Sequence, residues 1–228
     1  MHAKPALTRR SITVAGILVA SAAPGCFALF SLDDYGPPDE ATDAGPSFDA
    51  ARDADGAAAD AKLSGRTIFV TRERFTGDLG GVDGGDGKCQ AAAADGGLDG
   101  SFKVWLDDNR MGALGHLALD AGPLRLTNGA LVASNTLDLA TGGPQSAIVR
   151  DQRGSVIGGG GCTDGGTVAW TGTFPDGGSA ASNDCQRWRV SGSNQTAVVG
   201  LVGGPGGTWA TACVRSCQTP AALYCIQQ

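Results

Sequence analysis

Seven cysteines constrain this 228-residue chain more tightly than any other feature. Cys26 stands alone near the N-terminus, and the other six, Cys89, Cys162, Cys185, Cys213, Cys217 and Cys225, all fall in the C-terminal half or close to it. An even set of six in an exported chain predicts three disulfides, with about fifteen pairings open. A zinc site would need a Cys-x-x-Cys pair or nearby histidines. The closest spacing is Cys213-x-x-x-Cys217, with His116 far away in the sequence, so neither a metal nor a cofactor is expected.

The expectation of export comes from the first residues. Lys4, Arg9 and Arg10 form a basic segment, Ser11 to Ala23 is largely apolar, and Ala23-Pro24-Gly25 places small residues before Cys26, the pattern of a signal peptide over residues 1 to 25. Ala23-Pro24-Gly25-Cys26 resembles a lipobox, with Ala23 where Leu is usual and Pro24 an unusual neighbour. Cys26 is therefore the expected lipidation site and the mature N-terminus. A membrane span needs roughly 20 apolar residues, and no later segment of the chain approaches that. The expected membrane partner is thus reached through lipid chains, which contribute about 0.8 kcal/mol per buried methylene.

Between Phe27 and Ser64 nine acidic residues face only Arg52 and Lys62, in an Asp/Ala/Gly/Pro mixture with few large apolar residues. Such a composition favours a solvated chain over a packed one, so 26 to 64 reads as an acidic, disordered tether. Residues 65 to 228 hold all four tryptophans and should form one domain, with fourteen acids against twelve bases. Without a basic stripe to neutralise phosphates, nucleic acid is not an expected partner.

Thr67 to Thr71 reads as a first strand, and Asp86 as the cap of a short helix through Cys89 to Ala94. Phe102, Val104 and Leu106 alternate with Trp105, which predicts a strand covered on both sides. Further strands are predicted at Ile148-Val149, Val156-Ile157, Thr167 to Thr171, Gln186 to Val190, Ala197 to Val202 and Leu223 to Ile226. The fold class is therefore α+β and strand-dominated. Its thirty-seven glycines gather in Asp-Gly-Gly units and in Gly158 to Gly161 and Gly203 to Gly207, where tight turns and long loops use them. The stretch Gly80 to Asp86 has the look of one calcium-binding nonapeptide unit, but that architecture needs several units in register.

An ordered set of motifs is similar to a known family. Phe69-Val70-Thr71, Phe75 to Gly81, Lys88 to Ala93 and Phe102 to Asp107 are followed by Ile148 to Gly154, Trp170 to Thr173, Cys185 to Trp188 and Leu223-Tyr224-Cys225. Over about 66 to 226 the chain resembles the domain of unknown function 1554 family of bacterial lipoproteins, which includes the leptospiral endostatin-like lipoproteins. The resemblance implies a C-type-lectin-like, endostatin-like domain. It also implies Cys89 bonded to Cys225, Cys185 to Cys213 or Cys217, and Cys162 to whichever remains. The segments with which sugar-binding lectins hold calcium are absent, and a calcium ion needs six to eight oxygens.

No nucleophile elbow, phosphate loop or His-Glu-x-x-His motif is present. His116 reads as structural. Asp107 and Asp108, as adjacent strand residues, should point to opposite faces rather than share a site. Trp105, Trp170 and Trp188 read as core, and Trp209 as packing beneath a long loop. The expected function is thus noncatalytic: an exported, lipid-anchored envelope protein, in the outer membrane or at the cell surface. It would bind an extracellular protein or glycan through loops between about 154 and 209. The alternative is a structural or assembly role in the envelope without a soluble ligand.

Overall fold

The computed structural model describes residues 64–162 and 166–228; the signal segment, Cys26 and the tether up to residue 63 lie outside them. β1 (Arg66–Val70) pairs antiparallel with the last strand, β8 (Ala222–Gln227), in the register Ile68 to Ile226, Phe69 to Cys225 and Val70 to Tyr224. Side chains of a strand alternate between faces. This register therefore sets Ile68, Val70, Tyr224 and Ile226 on one face, and Phe69, Leu223 and Cys225 on the other.

The second edge of β8 is shared. β5 (Val168–Trp170) runs parallel to it at Ala222 and Leu223, and β2 (Phe102–Val104) runs antiparallel along Cys225 to Gln227. Between them Trp105 N–H donates to the Tyr224 carbonyl at 2.9 Å. Outward from β1 come β3 (Leu124–Arg125) and β4 (Leu131–Ala133); outward from β5 come β6 (Thr196–Leu201) and β7 (Cys213–Ser216). The mixed sheet has the order β4-β3-β1-β8-β5-β6-β7, with β2 beside β8.

Both faces of the sheet are buried. One carries Trp105, Trp209, Leu139 and Ile148 under α2 (Thr136–Gly142), and the other carries Phe102, Val104, Leu106, Trp170 and Trp188 under α1 (Gly81–Asp95). All four tryptophans are fully buried. Trp209 lies 4.8 Å from Trp105 and 5.4 Å from Tyr224, and Trp170 lies 5.8 Å from Trp188, distances at which aromatic pairs attract.

α1 starts at Gly81, well before the expected Cys89, and Asp86 lies inside it rather than capping it. Its glycines each cost about 1 kcal/mol in a helix interior, which hides it from propensity. They serve close approach: a Cβ on Gly84 would lie 2.1 Å from the Leu79 carbonyl oxygen, and one on Gly85 would lie 2.8 Å from Val104 Cγ1. Ile148-Val149 and Val156-Ile157 are not strands; the Arg150 to Val156 bridge and the Ile157 N–H to the Val149 carbonyl close a short loop there. The expected strand at Gln186 to Val190 is likewise absent, replaced by a turn described below.

Three disulfides join these elements: Cys89–Cys225 between α1 and β8, Cys162–Cys213 between the glycine loop and β7, and Cys185–Cys217. Of the two partners open to Cys185, the structure holds Cys217. Disulfides in a domain of this size point to an oxidising, exported setting. Among the described residues no helix is long and apolar enough to cross a membrane.

Cys89, Cys225, Cys185 and Cys217 are buried, whereas Cys162 and Cys213 are partly exposed. Graded reduction under native conditions, followed by alkylation and mass spectrometry, should label Cys162 and Cys213 first. Simultaneous labelling of all six would contradict this arrangement.

Candidate functional site

Where β2 leaves β8, its outer edge is finished by side chains instead of another strand. Val104 turns its N–H and C=O away from β8; Asp86 Oδ1 accepts the N–H at 2.8 Å and His116 Nε2 donates to the carbonyl at 2.9 Å. One helical turn along α1, Gln90 Oε1 accepts the Phe102 N–H at 2.9 Å. Asp86 and Gln90 are four residues apart and so share a helix face, which locks α1 against the strand edge. Lys103 Nζ donates to the His116 carbonyl at 2.7 Å. His116 is thereby committed to the scaffold through both its ring and its carbonyl.

Asp107 and Asp108 lie beyond β2, outside any strand, so the alternation expected of them does not apply and they differ instead in burial. Asp107 is fully buried; its Oδ1 accepts from the Asn109 N–H at 2.7 Å and the Ser179 hydroxyl at 2.6 Å, while Oδ2 has no partner among the described residues. Burial pushes its carboxyl above the ordinary range, against the pull of the Ser179 and Asn109 hydrogen bonds. Burial likewise raises Asp86, opposed by the Val104 N–H and the nearby His116. Asp108 is partly exposed, and its Oδ1 accepts from the Arg110 and Met111 N–H groups.

The segment Cys185–Trp188 is the most unusual backbone in the domain. Its four residues have φ of 50°, 52°, 61° and 62°, a single left-handed turn built without glycine. Each such residue costs roughly 1 to 2 kcal/mol against a right-handed conformation. The turn is held at both ends. Cys185 is bonded to Cys217, and that bond packs on Gly77, where a Cβ would fall 2.2 Å from the Cys185 sulfur. Trp188 donates its indole N–H to the Asp107 carbonyl at 2.6 Å, and its own carbonyl accepts the Leu79 and Gly80 N–H groups. Cys185 and Trp188 are buried, whereas Gln186 and Arg187 between them are exposed.

Those exposed residues form one wall of a cleft of about 430 Å³. α1 (Gly81 to Asp83 and Asp86), Lys103, His116, Arg189 and the loop carrying Asp108, Arg110 and Met111 form the rest. No Phe, Tyr or Trp side chain lines it, and the His116 ring at its wall is committed to the Val104 carbonyl. A larger hollow of about 590 Å³ lies near Arg72, Glu73, Lys88, Asp95 and Arg153, where Arg153 and Asp95 pair with each other. Arg153 Nε donates to Asp95 Oδ2 at 3.0 Å, lowering the Asp95 carboxyl, and Lys88 sits 5.0 Å from the Phe75 ring centre.

Of the expected recognition span 154 to 209, the turn and Arg189 reach the cleft, while the glycine loop does not line it. Lys103, Arg110, Met111 and the α1 terminus are contributions that the sequence reading missed. Only the polar Asp108-Asn109-Arg110 run after an apolar strand could have signalled part of them. Among the described residues no group of three His, Cys, Asp or Glu side chains is placed to hold a metal. No protein-family model matches this chain, and no curated protein matches it.

Two outcomes follow from this geometry. Gln186→Gly should raise unfolding stability by about 1 kcal/mol, because glycine adopts positive φ without a steric penalty; a loss of stability in urea titration would contradict the strain. Raised carboxyls keep their protons to higher pH in the folded state. The stability they contribute is therefore complete below about pH 4 and is lost as pH rises through the raised values. Asp107→Asn should flatten that decline in the urea midpoint across the weakly acidic range, and an unchanged slope would count against a buried, raised Asp107.

Proposed function

We propose that this protein is a noncatalytic binding module of the bacterial cell envelope, exported, anchored by lipid at Cys26 and held off the membrane by its acidic tether. In this reading the domain is C-type-lectin-like, related to the endostatin-like lipoproteins, and recognises an extracellular protein or glycan through the cleft at the left-handed turn. The adjacent first and last strands and the Cys89–Cys225 bond between α1 and β8 support the fold reading.

The observation that carries the function is the exposed Gln186-Arg187 pair, held in a costly conformation between a buried disulfide and a buried tryptophan. Backbone strain of this kind persists only where its surroundings enforce it, and it concentrates at ligand clamps and active sites. The titratable groups beside it argue for a clamp. Asp86, Asp108 and His116 are each committed to backbone hydrogen bonds that hold the scaffold, and the 3.9 Å approach of Asp86 to His116 lies within that scaffold.

The full chain, in detergent, should bind saturably to at least one member of a panel of glycans and extracellular proteins. Trimming the cleft with Gln186→Ala and Met111→Ala should weaken that binding about tenfold or more, as loss of central contacts does. Binding indifferent to the trim would move recognition elsewhere, and silence across the panel would favour a structural envelope role. Separately, Cys26→Ser should release the protein from membranes; continued membrane association would count against the lipid anchor.

A further inference from the structure

The charges around the cleft are unevenly satisfied. Asp86 and Asp108 accept backbone N–H groups, and Lys103 is engaged with the His116 carbonyl. Among the described residues, the guanidinium groups of Arg110, Arg187 and Arg189 have neither a carboxylate within salt-bridge distance nor a hydrogen-bond acceptor. All three are exposed. Asp83, in the first turn of α1, is the remaining acidic group at the rim.

Arg189 is in an electrostatically awkward place. A Cβ added to Gly81 would lie 3.0 Å from an Arg189 terminal nitrogen, so the guanidinium rests directly over the start of α1. That end of the helix begins at Gly80 with φ of 86° and has no side-chain cap. A helix N-terminus carries roughly half a positive charge and is stabilised by anions, so a cation there is the reverse of the favourable arrangement. Arg189 stays because its own N–H donates to the Cys185 carbonyl at 3.1 Å, which ties it to the disulfide-held turn. Arg187, projecting from that turn, lines the same space.

We infer that the cleft binds an oxyanion, a carboxylate, sulfate or phosphate group carried by the ligand, between the α1 terminus and the guanidinium groups of Arg187, Arg189 and Arg110. Guanidinium forks pair two-pronged with planar or tetrahedral oxyanions, and an anion there would relieve the repulsion between Arg189 and the helix end. No Phe, Tyr or Trp lines the cleft for a neutral sugar ring to stack on, and most of its lining residues are charged or polar. This inference rests on the cleft being the ligand site proposed above.

The test uses the full-length protein carrying Cys26→Ser, titrated separately with sodium sulfate, sodium phosphate and sodium acetate at constant ionic strength held by sodium chloride. Amide shifts of Gly81, Val82, Gln186 and Arg187 should saturate with at least one of the three, and the one that saturates identifies the preferred oxyanion. Arg187→Gln should weaken it about tenfold, and Arg187→Gln with Arg110→Gln further, while the rest of the amide spectrum stays that of the parent. Shifts that never saturate, or that ignore both substitutions, would overturn the inference. If a panel ligand binds through the cleft yet none of the three salts competes with it, the inference fails and the module reading stands. Saturable oxyanion binding with no panel ligand would leave the inference standing and the module reading without its ligand.

Discussion

The hydrogen bonding of β8 along both edges is the constraint on which the domain depends. One edge is taken by β1, and the other is divided among β5, β2 and the Trp105 that follows β2, so segments from across the sequence are fixed by six residues at its end. The alternation of Tyr224 and Ile226 against Leu223 and Cys225 feeds both cores, and Cys225 ties the strand covalently to α1. The strand pairing and the disulfide act on the same residue. The loop they close has a sequence separation of 136; closing a loop of that order is worth roughly 4 to 5 kcal/mol in the chain-entropy account.

The cleft inherits its geometry from this centre. β2 is placed by β8, α1 is placed on the free edge of β2 by Asp86 and Gln90, and the uncapped start of α1 is thereby presented beside the loop that follows β2. The opposite wall is fixed independently. Cys217 lies just beyond β7 and holds Cys185, while Trp188 is buried under the sheet and bonded to the Asp107 carbonyl. Two rigid supports thus meet at a strained and exposed pair of side chains. A free surface turn would relax into a right-handed or extended form, since no glycine excuses its four positive φ values.

Much of the framework was legible because it is written in alternation. Phe102 to Leu106 reads as a strand covered on both sides, Thr67 to Thr71 and Leu223 to Ile226 read as strands, and Trp105, Trp170 and Trp188 read as core, because short β-rich apolar runs have few other solutions. The site was less legible. Gln186 to Val190 reads as a strand, and only the disulfide and the buried indole, both tertiary facts, hold Cys185–Trp188 left-handed. α1 was foreshortened because glycine is read as a helix breaker, when here Gly84 and Gly85 let the helix approach Leu79 and Val104. β3, β4 and β7 are too short to show a period at all, and α2 is a seven-residue helix marked only by Asn135 accepting the Asp138 N–H.

The central claim is that the backbone at Cys185–Trp188 is left-handed and locked, so that Gln186 and Arg187 face the cleft. The most direct measurement is the intraresidue amide-to-Hα nuclear Overhauser effect at residues 185 to 188, because positive φ brings those two protons closer than any right-handed or extended conformation does. Strong effects at all four residues in the oxidised protein are the result this account predicts. Weak, strand-like effects at Gln186 and Arg187 would contradict it and remove the wall on which the proposed site is built.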